Sequence, residues 1–210
     1  MSIHIKICGF TDLEGLAAAI EVGVDSVGLV LDPSPRQLSL EQAVALRVGI
    51  PEHVELVAVC GRPSLDTVER IQAELKPDWI QLMADSVPDP ALGYPIIPAF
   101  EDGKDLLARV QKYRERVGED CPFILADGPK PGSGIVADWN RVQALAATTR
   151  LMIAGGLNPE NVGDAIRQLR PYAVDVSSGV ERDRGVKDPE LIRRFVAAVR
   201  EAESLLDGSL

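Results

Sequence analysis

Histidine and cysteine are scarce in this sequence. Only His4 and His53 occur, the first in a strand-like segment and the second in a loop remote from the strand ends. No Ser-His-Asp set can be assembled from them. A histidine base or a zinc centre lacks its donors, so no metal is expected. Cys8, Cys60 and Cys121 lie far apart, without a CxxC pair and in odd number, which argues against a disulfide framework. Aromatic residues make up only 4% of a chain that is 46% hydrophobic, so the core must be aliphatic, as suits buried parallel strands. No apolar run approaches the ~20 residues that span a bilayer. The start, MSIHIKICGF, reads as a short strand rather than a signal peptide. Positive charge is also short: 22 basic against 32 acidic groups give a net charge of −10. That excludes a nucleic-acid phosphate track. It does not exclude a phosphorylated small molecule, because backbone N–H groups and helix N-termini supply local positive potential. The expectation is a soluble, cytoplasmic protein with no membrane or nucleic-acid partner.

The 210 residues suffice for one domain with a sizeable core. Short apolar runs recur about eight times, at 3–8, 26–31, 56–60, 79–82, 95–100, 123–127, 151–154 and 173–177. Each is nearly continuous, as in strands buried on both faces. Helical patterns separate them. Leu13, Leu16, Ala17 and Ile20 repeat at i, i+3, i+4, i+7, as do Val162, Ala165, Ile166 and Leu169, and Ile192, Phe195, Val196 and Val199. Asn158-Pro159 and Asp188-Pro189 each offer an N-cap with proline at the first helical position. Such alternation predicts parallel strands with right-handed crossovers. Eight units predict an α/β fold, a single-domain (β/α)8 TIM barrel over 1–210; an open doubly wound sheet is the fallback. The fourth unit is weakest, since MADSVPDPALGY (83–94) can hold only a short helix.

Barrel enzymes keep their chemistry where strands end. Cys8 closes the first run and Asp127 the sixth. A thiol and a carboxyl meeting there suggest a base and an acid, hence proton transfer. In KICGFTD (6–12), Gly9 allows a sharp turn and Thr11 or Asp12 can cap the next helix. Arg36 sits in a Pro-rich loop after the second run, where a guanidinium can hold a carboxylate. Asp127 follows three apolar residues, and desolvation there would raise its pKa. AGGLNPENV (154–162) and DVSSGVE (175–181) follow runs seven and eight, where such barrels bind phosphate. Gly155, Gly156, Ser178 and Gly179 are the candidate phosphate-binding residues.

These blocks together resemble the phosphoribosylanthranilate isomerase family of tryptophan biosynthesis. KICG with Thr11, the SPR of 34–36 with Ser39, GSG–ADW (132–139), AGGLNPENV, and DVSSGVE with VKDP (186–189) follow that family's order over nearly the whole chain. The resemblance implies an Amadori rearrangement of N-(5-phosphoribosyl)anthranilate to the 1-deoxyribulose 5-phosphate derivative, with no cofactor. A monomer or homodimer is expected, the sequence itself leaving the two open. The resemblance casts Asp127 as general acid and Cys8 as thiolate base. The base needs a lowered pKa, which Lys6 or Arg36 could supply. Arg36 would face the anthranilate carboxylate and Asp175 its amine. Departures stand beside this. Met83 replaces the histidine of a QLHG block. The loop after Asp127 is short, which suggests weaker closure over substrate. Val59-Cys60-Gly61-Arg62 replaces a Phe-Val-Asn pattern, and Pro98-Ala99-Phe100 stands where a lysine is common. Two other readings follow: a diverged paralogue acting on another phosphosugar, and a non-catalytic phosphometabolite-binding barrel.

Overall fold

The computed structural model describes residues 2–88, 93–118, 123–129 and 138–207. Eight parallel strands close into a barrel: β1 (His4–Cys8), β2 (Ser26–Val30), β3 (Glu55–Val59), β4 (Trp79–Met83), β5 (Ile96–Glu101), β6 (Ile124–Asp127), β7 (Leu151–Ile153) and β8 (Ala173–Val176). β8 pairs back onto β1. All eight stand where the apolar runs predict them, with ends displaced by one residue. Helices α1 (Leu13–Glu21), α2 (Leu40–Arg47), α3 (Leu65–Glu74), α4 (Leu106–Val117), α5 (Trp139–Ala146), α6 (Val162–Leu169) and α7 (Pro189–Asp207) cover the outside. After β4 the described residues hold only a 3-10 turn, Ala84–Ser86; 89–92 of the weak fourth unit lie outside them.

Strand alternation sorts side chains into two cores. Ile5, Leu29, Ile80 and Val174 point outward and pack under the helices, where Leu16, Ile166 and Phe195 meet them. Val57, Ile97, Leu125 and Met152 point inward and fill the barrel. Both layers are largely aliphatic, as the low aromatic content requires. The inward positions of β1 break this rule near the top: Lys6 is fully buried and Cys8 nearly so.

Local signals explain most helix starts. Asp12, rather than Thr11, caps α1 by accepting the Gly15 amide at 2.8 Å. Thr11 instead donates to the Gly185 carbonyl. Asp188 Oδ1 accepts the Glu190 and Leu191 amides at the head of α7, with Pro189 at its first position as expected. The Asn158-Pro159 expectation fails. α6 begins at Val162 with Asn161 at the cap position. Asn158 Oδ1 binds the Glu160 and Asn161 amides, so it closes a separate turn before the helix. That turn stretches the loop after β7. A hairpin of β9 (Glu181–Asp183) and β10 (Val186–Lys187) follows β8. It was not expected; its two strands are too short for periodicity to register.

Candidate active site

The C-terminal strand ends converge on one cavity of about 340 Å³. Cys8, Arg36, Asp127, Gly155, Gly156, Asp175 and Ser178 all line it. Of the predicted site residues only Gly179 does not. It packs instead against the loop after β7, where a Cβ would lie 1.9 Å from the Leu157 carbonyl oxygen. The backbone of that 3-10 turn (Ser178–Val180) can therefore press close to its neighbour only because Gly179 lacks a side chain.

Cys8 ends β1 beside Gly28 of β2. A Cβ at Gly28 would come within 2.8 Å of the Cys8 sulfur, so the glycine makes room for the thiol. Below it, Lys6 Nζ donates to Asp175 Oδ1 at 2.9 Å, an ion pair buried across the β1–β8 seam. Burial works against the lysine's charge, but Asp175 and Cys8 opposite it outweigh that and its pKa is raised. The thiol goes the other way from expectation. Burial pushes the Cys8 pKa up, Lys6 opposes that, Asp175 reinforces it, and Lys187 and Arg36 add smaller downward pulls. Desolvation wins because the sulfur is enclosed. The expected lowering does not occur in the free protein.

Asp127 ends β6. Its Oδ1 accepts the Gly128 amide at 2.7 Å. Burial raises its pKa to about 6; the Gly128 bond opposes this, Asp175 adds to it, Lys6 opposes it and Glu101 adds again. This is the direction an acid needs, and its cause is the one the sequence suggested.

Arg36 is not free to face a ligand with its whole fork. Its Nε and Nη2 donate to Glu181 at 2.6 and 2.9 Å. Glu181 also accepts from Lys187 Nζ at 3.0 Å, and Lys187 donates to the Ser177 carbonyl at 2.9 Å. Burial alone would raise the Glu181 pKa, but Arg36 and Lys187 together hold it low. Two cations thus share one buried carboxylate. Glu181 and Lys187 were missed as site residues, because their partnership exists only once the β9–β10 hairpin folds back. The hairpin turn at Gly185, with φ +88°, lies against the Pro35 carbonyl and so positions the Arg36 loop.

The loop after β7 carries Gly155 at φ +81° and Gly156 at φ +67°. A Cβ on Gly155 would lie 2.1 Å from the Gly128 nitrogen. The loop is thereby seated against the Asp127 turn, and Asn161 Nδ2 ties it by donating to the Gly156 carbonyl at 2.9 Å. A second cavity of about 300 Å³ adjoins the first. The two share Val59, Gln81 and Asp127, and the second adds Met83 and Glu101. β5 runs to Glu101, one residue past the predicted end, so the residue at that strand end is a glutamate rather than Phe100. Residues 130–137, which include the GSG of the predicted short loop, and Cys121 lie outside the described residues. Among the described residues no cluster of metal-ligating side chains occurs, and no helix is long and apolar enough to cross a membrane.

Comparison with known proteins gives a consistent result. The family described as N-(5'phosphoribosyl)anthranilate (PRA) isomerase matches residues 5–198. N-(5'-phosphoribosyl)anthranilate isomerase of Myxococcus xanthus is 39% identical over 208 residues, covering 95% of this chain and 97% of that protein. The crystal structure of phosphoribosyl anthranilate isomerase from Thermotoga maritima superposes with a TM-score of 0.85 at 32% identity, covering 95% of this chain and all of that one. Another structure of such an isomerase, in complex with reduced 1-(o-carboxyphenylamino)-1-deoxyribulose 5-phosphate, matches at a TM-score of 0.82 and 32% identity, with the same coverage.

Proposed function

This chain belongs to the N-(5'-phosphoribosyl)anthranilate isomerase family, and we propose that it performs that family's aldose-to-ketose rearrangement with Asp127 as acid and Cys8 as base. The observation that carries the assignment is their shared cavity, where a carboxyl with a raised pKa and an enclosed thiol face one space beside the glycine loops after β7 and β8. The substrate is N-(5-phosphoribosyl)anthranilate. Its 5-phosphate is held by backbone amides of Gly155, Gly156 and Ser178, while Gly179 lets the turn after β8 pack against the loop after β7. No side-chain cation is needed there, because close N–H groups suffice for an anion.

Asp127 gives its proton to the furanose ring oxygen, and the ring opens to a protonated Schiff base. Cys8 as thiolate removes the C2′ proton, leaving an enolamine. The C2′ hydroxyl then loses its proton, C1′ gains one, and the ketone forms. Proton count is conserved, so no cofactor enters. Asp175 lies beside the amine. The Nε–Nη2 edge of Arg36 belongs to Glu181, so the Nη1–Nη2 edge is the one that receives the anthranilate carboxylate. The Arg36–Glu181–Lys187 triad keeps one net positive charge for it.

The pKa values are inverted relative to the task. The acid titrates at about 6 and the base above an ordinary thiol. Between those values the reacting form, with protonated Asp127 and ionised Cys8, is a minor tautomer of the form with the proton on sulfur. Its share stays constant across the interval, which gives a plateau in kcat/KM, and the apparent pKa values belong to the pair. Lys6, ion-paired next to the thiol, favours the thiolate but also the Asp127 carboxylate.

We place the enzyme in the cytoplasm, as a monomer or homodimer. The experiment is loss of anthranilate-type fluorescence on adding fresh phosphoribosylanthranilate. Turnover with kcat/KM above about 10⁴ M⁻¹s⁻¹ is expected. Met83 and Glu101 on the wall of the second cavity favour a second reading, another phosphosugar; spontaneous decay alone, beside turnover of a different phosphosugar, would establish it.

A further inference from the structure

We propose that Glu101 is a positioning residue for the acid: its carboxylate, abreast of Asp127 on the neighbouring strand, adds to burial in keeping a proton on Asp127 for ring opening. Glu101 and Asp127 are register partners across the β5–β6 seam, so their side chains leave the sheet on the same face. Both line the 300 Å³ cavity. Like charges on directly opposed strand positions repel, so a carboxylate beside Asp127 favours its protonated form. The two side chains differ in their surroundings. Glu101 also opens onto a third cavity of about 470 Å³, lined by Arg62, Arg109, Lys112 and Arg116. Water and cations can solvate its charge there. Arg109 Nη2 donates to the Glu101 carbonyl at 2.6 Å and fixes the strand end. Asp127 lies deeper, and among the described residues Asp175 of β8 and Lys6 of β1 are its other charged neighbours. Lys6 is already paired to Asp175, so these two largely cancel. Glu101 adds to the upward push on Asp127.

The role rests on Asp127 being the acid, and the inverted pKa order makes it testable. Suppose Glu101→Gln lowers the Asp127 pKa. The low-pH limb of kcat/KM then moves down, and the plateau falls by the same factor, since the reacting tautomer becomes rarer. Well below the limb Asp127 is protonated in both proteins, so the two rates coincide. The experiment measures kcat/KM against pH for wild type, Glu101→Gln and Glu101→Asp, with ¹³C NMR titration of the Asp127 carboxyl in the first two. The expected result is equal activity near about pH 4, a roughly three- to tenfold deficit near about pH 8, and a matching downward shift of limb and carbon titration, with partial return in Glu101→Asp. The substrate phosphate also titrates near about pH 6, equally for every variant, so only the difference between proteins is read. An unmoved carbon titration overturns the proposal. So does a deficit that is uniform in pH, which is what damage to the strand end would cause. A moved carbon titration with unmoved kinetics shows that Glu101 acts on Asp127 but that Asp127 is not the acid, which overturns the acid assignment and this role with it.

Discussion

At Asp127 the fold accepts a cost in order to keep a proton. Its pKa is raised to about 6 by burial, so the folded state binds that proton more tightly than the unfolded chain, where a carboxyl titrates near about 4. The linkage sign follows: the contribution is fully present below about pH 4 and is lost as pH rises through about 6. Asp127→Asn cannot lose a proton there and can still accept the Gly128 amide. It should abolish turnover yet melt higher than wild type at pH 7, with the gap closing towards about pH 4, by thermal denaturation across pH. A lower melting temperature at pH 7 would mean that the charged carboxylate is better held than this account allows. Lys6 shows the converse dependence. Lys6→Met strips the cation beside the thiol and leaves Asp175 buried and unpaired. It should cost about 3–5 kcal/mol of stability and shift iodoacetamide alkylation of Cys8 to higher pH. An unchanged alkylation profile would remove Lys6 from the base's environment. These two residues differ in legibility. Asp127 announced itself by its place after three apolar residues. The Cys8 pKa could not be read from the sequence, because it depends on how tightly Gly28 and the β8 seam close around the sulfur.

At the scale of elements, the loops after β7 and β8 are the parts that cannot tolerate added atoms. Gly155 combines φ +81° with a Cβ position 2.1 Å from the Gly128 nitrogen. Gly155→Ala must therefore push the loop after β7 away from the Asp127 turn. A rise in KM of at least about tenfold, together with a fall in kcat, is expected in steady-state assays; wild-type constants would mean that the two loops are not coupled. The strands themselves were legible as uniform apolar runs, and the cavity-lining loops after β7 and β8 as glycine and serine pairs in the last two units. The β9–β10 hairpin was not, although Asp183-Arg184-Gly185 is a turn-forming stretch that could have flagged it. Its strands carry a polar pattern, so nothing in hydrophobicity marks them. Their importance lies in delivering Glu181 and Lys187 to Arg36. The end of β5 was misjudged for a related reason: a glutamate at 101 does not look like strand, yet the β6 ladder carries it one residue further.

For the whole molecule, closure is what converts a list of distant residues into a site. Pairing of β8 with β1 brings Asp175 to Lys6 and the loops after β7 and β8 to Cys8, across most of the chain. Alternation of strands and helices was sufficient to predict that closure, since eight units close and fewer need not. The wall of the second cavity was less legible, because the way Met83, Glu101 and Arg62 line it is set by side-chain packing rather than by pattern. The central claim is that one thiol and one carboxyl at this closure carry out the isomerisation. The measurement that tests it most directly is kcat/KM for phosphoribosylanthranilate at pH 7, wild type beside Cys8→Ala, with folding checked by circular dichroism. The account predicts a folded variant slower by at least about a thousandfold, as expected when the base of a proton abstraction is removed. A folded Cys8→Ala protein within about tenfold of wild type would contradict it.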